Sequence, residues 1–257
     1  MSPLLEVHGL VKRFGGLTAV NNFSTELDAG ELCALIGPNG SGKTTIFNVI
    51  TGIYEPTEGN IRFNQEDISG KRPDQITNRG IARTFQNIRL FKGLNVLENV
   101  IVGKHLRLGA GPASAVLRLP NYLAEEKEMR ETGMALLESL DLDRFAYDEP
   151  TSLPYGLQRK LEIARALATE PRLLLLDEPA AGMSPSDAEE LMVFIQHILT
   201  TFDLTIFLIE HQMRVVMGIC PRIIVIDHGV MIAEGDPEKI QNDARVIEAY
   251  LGVDNHA

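Results

Sequence analysis

Leu4 to Val11 and Thr18 to Leu27 mix apolar and polar positions at the short spacing of half-buried strands, with Gly15-Gly16 between them to make a turn. A second turn at Asp28-Ala29-Gly30 leads into Glu31 to Ile36, a short apolar run of strand length. Lys43 to Thr51 then follows a helical pattern that stops at Gly52. A turn at Glu58-Gly59 precedes a predicted short strand, Asn60 to Phe63. From about Leu94 to Leu140 the texture changes. A Gly/Pro/Ala break at Gly109 to Ala113 is followed by a charged helical run in which Glu126 and Arg130 share a solvated face, while Leu136, Leu137 and Leu140 supply the buried one.

Beyond the turn at Asp148-Glu149-Pro150, Leu157, Leu161, Ala164 and Ala168 mark one face of a helix that Pro171 closes. Leu173 to Leu176 is a fully buried strand ending in Asp177-Glu178. Ser184 has the makings of an N-cap, with Pro185 at the first helical position and Asp187 in the first turn. Leu191, Ile195, Ile198 and Leu199 form that helix's apolar stripe. Thr205 to Ile209 predicts another buried strand, and Arg222 to Ile226 with Val230 to Ala233 a hairpin around Asp227-His228-Gly229. Strands alternating with helices through the centre of the chain predict an α/β fold with a mostly parallel sheet covered on both faces.

With 257 residues, 44% of them hydrophobic, the chain can bury a full core, either as one large domain or as a domain with an insert. A net charge of −11 argues against a nucleic-acid binder working through a general basic surface. Cys33 and Cys220, the only cysteines, lack metal-site spacing and fit free thiols in a reducing compartment, and the 6 histidines are scattered. There is no amino-terminal signal pattern, and no apolar run nears the roughly 18 residues of a membrane span. A cytoplasmic chain is expected, with any membrane association made through a partner.

The chemistry begins at Gly37-Pro38-Asn39-Gly40-Ser41-Gly42-Lys43-Thr44-Thr45, which fits G-x-x-x-x-G-K-[ST] between a strand and a helix. Strand, glycine-rich turn and helix N-terminus aim successive backbone N–H groups at one point, where the amides and the helix dipole favour phosphate. The glycines permit close backbone approach, Lys43 supplies a point charge, and the Thr44 hydroxyl can ligate Mg²⁺. This loop predicts a nucleoside triphosphate ligand. Asp177, at the end of the four-leucine strand, suits Mg²⁺ beside such a loop, and Glu178 is placed to orient or deprotonate an attacking water. Glu210-His211 ends another buried strand, where ligand groups gather in α/β sheets.

Taken together these motifs resemble the ATP-binding subunits of ABC transporters over essentially the whole chain. The resemblance implies an ATP-hydrolysing P-loop domain with an antiparallel β subdomain and a helical insert, its core at about residues 1–93 and 160–257 and its helical subdomain at about 94–159. Gln86, in Arg83-Thr-Phe-Gln-Asn87, matches the glutamine loop that contacts metal and water. Leu153-Pro-Tyr-Gly-Leu-Gln-Arg159 matches the signature segment, with Tyr155 and Gly156 at its phosphate-facing end. Asp177 and Glu178 match the magnesium-binding aspartate and the catalytic glutamate, Ala181-Gly-Met-Ser184 the D-loop, and His211 the switch histidine. Phe14 falls where an aromatic ring stacks on adenine, with Val20 nearby on the next strand. The choice of ATP rests on the resemblance alone, since a stacked Phe14 would accept any purine.

Two positions depart from the family pattern. Where the signature usually reads Leu-Ser-Gly-Gly-Gln, Pro154 replaces serine, Tyr155 the first glycine and Leu157 the glutamine, so Gly156 and the helix amides remain as anion-binding groups. Ser184 stands where the D-loop more often has aspartate. In this family the signature acts in trans across a head-to-tail dimer. The implied partners are therefore a second ATP-binding subunit, homologous or another copy of this chain, and two membrane permeases at the cytoplasmic face.

Within the family, Arg83 to Phe91, Asn95 to Asn99, Tyr155-Gly156, Pro179 to Gly182 and the tail Val246 to Gly252 resemble branched-chain amino-acid importers, which also use a periplasmic solute-binding protein. Phe85, Ile88, Leu90 and Phe91 form an apolar cluster expected to help build the groove for a permease helix. Competing readings are an exporter motor of the lipid-extraction type, a soluble ABC ATPase of DNA repair or translation, and a nucleotide-binding regulator without turnover. Glu178 argues against the last, and the absence of long coiled-coil inserts or zinc sites against the soluble ATPase.

Overall fold

The computed structural model describes residues 2–104 and 120–251. The Gly109–Ala113 break and Gly252 of the tail lie outside the described residues. The chain divides into two compact units, Met1–Gln86 with Arg172–Ala257, and Asn87–Pro171.

The first unit holds two sheets. Strands β1 (Leu5–Phe14), β2 (Leu17–Leu27), β4 (Glu58–Phe63) and β5 (Glu66–Asp67) form an antiparallel sheet in the order β2-β1-β4-β5. The second sheet runs β10-β9-β3-β8-β7-β6, from β3 (Leu32–Ile36), β6 (Ile81–Arg83), β7 (Leu173–Asp177), β8 (Thr205–Ile209), β9 (Arg222–Asp227) and β10 (Val230–Gly235). All its pairings are parallel except the β9–β10 hairpin at one edge. Every residue of β3, β7 and β8 is buried, as their near-continuous apolar runs predict for strands covered on both faces. Helix α1 (Lys43–Ile50) contributes Ile46, Phe47, Val49 and Ile50 to a core shared by both sheets, reaching Phe23 and Leu27 of β2 and Phe207 and Ile209 of β8.

Glu58 and Gly59 lie inside β4 and do not make the turn their sequence suggests. A side chain on Gly59 would meet the Gly9 and His8 carbonyl oxygens at 2.4 and 2.5 Å, so the glycine serves a close approach of β4 to β1 at φ +85°. Helix α2 (Pro73–Asn78) and β6 carry too few residues for their periodicity to stand out in the sequence.

The second unit contains α3 (Val96–Lys104), α4 (Pro120–Ser139) and α5 (Tyr155–Leu167), with short 3-10 turns at Asp143–Phe145 and Pro150–Ser152. Gly103 lets α3 cross α5 closely, since a side chain there would lie 2.5 Å from the Arg165 carbonyl oxygen. The first unit is completed by α6 (Pro185–Thr201), α7 (Met213–Ile219), α8 (Pro237–Gln241) and α9 (Ala244–Leu251). Ser184 caps α6 by accepting the Asp187 N–H at 3.3 Å.

Candidate functional site

The parallel register β3-β8-β7-β6 brings four carboxyl ends side by side: the phosphate-loop sequence after β3, His211 after β8, Glu178 after β7 and Gln86 after β6. The loop turns through three glycines at positive φ, Gly37, Gly40 and Gly42. At Gly37 a β-carbon would sit 2.0 Å from the Ile226 carbonyl oxygen, and at Gly42 it would sit 2.6 Å from that of Ala19. The hairpin tip fastens the loop from the other side, where the Gly229 N–H donates to the Ser41 carbonyl at 2.8 Å. Ser41 Oγ is buried inside this turn without a hydrogen-bond partner. Such an orphan fits a site for an anionic ligand rich in acceptor oxygens.

Lys43 is almost fully buried, and its ammonium donates to the Gly37 and Pro38 carbonyls, both at 2.8 Å. Burial lowers its pKa, against the opposing pull of Glu178 and Asp177. Pro38 is half-buried, Asn39 and Gly40 are exposed, and Thr44 and Thr45 lie on the first turn of α1, exposed and half-buried respectively.

Glu178 is the centre of the carboxylate side. Its Oε2 accepts from the Gln86 amide at 2.7 Å and lies 3.1 Å from His211 Nε2. Its backbone sits at φ +49°, outside the usual range for a non-glycine residue, and its N–H is bonded to the Ile209 carbonyl of β8 at 2.9 Å. Desolvation raises its pKa above the ordinary glutamate value, with Asp177 and Glu210 pushing the same way and His211 and Lys43 opposing. The buried Asp177 is held by Arg83 in a 2.7 Å ion pair. Arg83 in turn donates to Asn48 of α1 at 2.7 Å, so the two strand ends and the helix below the loop are tied through one guanidinium.

Glu210, wholly buried, fixes the backbone around both catalytic candidates. One oxygen accepts the Ala180 N–H at 3.0 Å and the other the His211 N–H at 2.9 Å. The sequence names Arg83 and Glu210 only as neighbours of Gln86 and His211. Their positions at the ends of β6 and β8 were the one signal of their part in the site.

Phe14 is 41% exposed, its ring edge-on to Tyr54 at 5.1 Å with the Lys12 ammonium 4.9 Å from its centre. Val20 is fully buried beneath the loop, 3.5 Å from where a Gly42 side chain would begin, a place from which it braces the loop. Tyr155 and Gly156 belong to the other compact unit, at the head of α5, whose Pro154 carbonyl accepts the Leu157 and Gln158 N–H groups. Around Gly156 there is open space. The Thr44 hydroxyl, the Asp177 carboxylate and the Gln86 amide oxygen make an all-oxygen donor set, which fits Mg²⁺.

A phosphate loop, a paired Asp-Glu strand end, and a glutamine and a histidine sharing the glutamate define a nucleotide-hydrolysing cassette. The ABC transporter family model matches residues 20–181, and that of the branched-chain amino acid ATP-binding cassette transporters residues 230–256. Over 250 residues the chain is 46% identical to the high-affinity branched-chain amino acid transport ATP-binding protein LivG of Escherichia coli (strain K12), covering 97% of this chain and 98% of that protein. Identity to BraF of Pseudomonas aeruginosa, described in the same words, is 44% with the same coverage. The ADP conformation of MJ1267, an ATP-binding cassette of an ABC transporter, superposes with a TM-score of 0.86 at 32% identity, covering 98% of this chain and 100% of that one. The chain belongs to the ABC transporter family, as an ATP-binding subunit that hydrolyses ATP.

Proposed function

We propose that this chain is the motor of an importer for branched-chain or related amino acids, working as a peripheral subunit at the cytoplasmic face of the membrane. The observation that carries the catalytic part is the Glu178 carboxylate, hydrogen-bonded by Gln86 and facing His211 beside Lys43 and Asp177. The near full-length similarity to LivG and BraF supports the transported class.

In this scheme the loop amides and Lys43 hold the ATP phosphates, and the Phe14 ring carries the adenine. Thr44, Asp177 and Gln86 would hold Mg²⁺, which supplies charge neutralisation on the phosphoryl oxygens. Glu178 takes the proton of the attacking water, and His211 and Gln86 orient that carboxylate. Tyr155 and Gly156, at the N-terminus of α5, serve the nucleotide of a second ATP-binding subunit, either a homologue or another copy of this chain. ATP binding then favours the closed pair only as far as it binds that state better, and closure moves two permease subunits supplied by a solute-binding protein. The exposed Phe91, close to the glutamine loop in sequence, helps form the groove for a permease helix.

The test is affinity capture of the tagged chain from gently solubilised membranes, with mass spectrometry of what co-purifies. Two permeases, a second ATP-binding subunit and an associated amino-acid-binding protein are expected. Recovery with soluble partners alone, or with ribosomes or nucleic-acid enzymes, overturns the transport assignment. Recovery with lipid-export components gives the direction to the exporter.

A further inference from the structure

In the second compact unit the segment Arg89–Phe91, exposed at both ends, has its backbone held by side chains of α3 and α5. The Arg89 N–H donates to Glu162 Oε1 at 3.3 Å, and its carbonyl accepts from the Arg165 guanidinium. Asn99, fully buried on α3, accepts the Phe91 N–H at 2.9 Å and donates to the Phe91 carbonyl at 3.1 Å. The Phe91 ring itself is 49% exposed, with the Arg165 guanidinium 5.4 Å from its centre. A loop that merely connected two elements would leave such groups to water. Here an apolar side chain is presented outward on a backbone fixed from within.

The same glutamate reaches the other way. Glu162 Oε2 accepts from Arg159 at 2.7 Å, both side chains lying almost completely out of solvent. Arg159 donates onward to the Tyr155 hydroxyl at 3.2 Å and stands 5.9 Å from the centre of that ring. Separations of four and three residues put Tyr155, Arg159 and Glu162 on one stripe of α5. Burying an ion pair costs desolvation that an apolar pair of the same volume would avoid, so stability alone is a poor reason for it. What the pair adds is a fixed geometry between the Arg89–Phe91 backbone and the first residue of the signature helix.

We infer that Arg159 and Glu162 are positioning residues that carry permease engagement at Arg89–Phe91 to Tyr155 at the head of the signature helix. This rests on the proposed docking role of Phe91. A displacement of the Arg89 backbone moves an acceptor that also holds Arg159, and Arg159 holds the tyrosine. With both side chains almost wholly out of solvent, neither is placed to bind a nucleotide directly. Their effect falls on how far hydrolysis responds to the permease.

The test uses the complete transporter in vesicles alongside the isolated subunit. Glu162→Gln keeps the side chain's size and an acceptor for Arg89 but removes the charge that holds Arg159. Basal hydrolysis by the isolated variant and assembly of the complex should match the parent, while permease-stimulated hydrolysis and uptake per ATP fall roughly 2- to 30-fold. Equal losses of basal and stimulated rates, or no loss of either, overturn the inference. Phe91→Ala tests the docking role by itself. If it leaves assembly and uptake intact, that role fails and the inference falls with it. If Phe91→Ala impairs assembly while Glu162→Gln couples like the parent, only the inference fails. Should Glu162→Gln not fold, Arg159→Lys keeps the charge but loses the two-nitrogen fork that joins Glu162 to Tyr155, and parent-like coupling in that variant refutes the relay.

Discussion

Arg83 and Asp177 form an ion pair at 2.7 Å with side chains only 6% and 4% exposed, joining β6 to the end of β7. Removing one member leaves an uncompensated charge in a poorly hydrated place, which typically costs about 3–5 kcal/mol. Arg83→Ala should therefore lower the unfolding free energy by an amount in that range, seen as a lower urea midpoint at unchanged slope. Arg83→Ala/Asp177→Asn should recover part of the stability without recovering hydrolysis. A single variant as stable as the parent would show that water reaches the carboxylate.

The phosphate loop's glycines differ in what they tolerate. At Gly37, φ is +153° and a β-carbon would overlap the Ile226 carbonyl, backbone that cannot swing aside. At Gly40, φ is +79° but the surrounding space is open. Gly40→Ala should cost only the left-handed strain of about 1–2 kcal/mol. Gly37→Ala should cost more and should also weaken ATP binding, because the loop must move to make room. Denaturation midpoints and titration with a fluorescent ATP analogue check the order.

Much of this was legible in the chain. Leu173 to Leu176 is as buried as four consecutive leucines suggest, and Ser184 caps α6 as the Ser-Pro-x-Asp pattern indicates. What was not legible depends on pairing across long separations or on burial. Nothing in Arg83 announces Asp177, 94 residues away, as its partner. Arg159 and Glu162, three apart on a helix, look like a solvated surface pair and are instead buried. Gly59 carries the sequence mark of a turn, but glycine also serves where two backbones come close, and only the β1–β4 pairing separates the two uses.

Ser184 stands where an aspartate is more usual, and its cap is long at 3.3 Å. Ser184→Ala should cost about 1 kcal/mol, a typical capping loss. Ser184→Asp should hold stability at or above the parent, because an anion at the first turn also suits the helix dipole. If Ser184→Asp is stable yet changes hydrolysis in the assembled transporter and not in the isolated subunit, the position acts across the pair of ATP-binding subunits. Equal effects in both place its action within one subunit.

Glu178 combines a raised pKa with a role that requires the carboxylate. Burial is the first cause of the rise, and the contacts with His211 and Lys43 only partly offset it. Hydrolysis should therefore fall on the acid side at a higher pH than an ordinary glutamate would give. The same shift has a consequence for stability. Between the unfolded and the raised folded pKa the native state binds more protons, so this group's contribution to stability declines as pH rises through that window and stays reduced above it. Glu178→Gln removes the penalty. The variant should bind ATP, lose hydrolysis by roughly 10²- to 10⁴-fold, and melt above the parent at neutral pH, with the difference shrinking as pH falls through the window. Phosphate release with ATP-binding titrations, and melting curves across pH, test the two halves separately. Undiminished hydrolysis in Glu178→Gln removes Glu178 as the general base, and a pH-independent difference in melting removes the raised pKa as the cause of the stability gain.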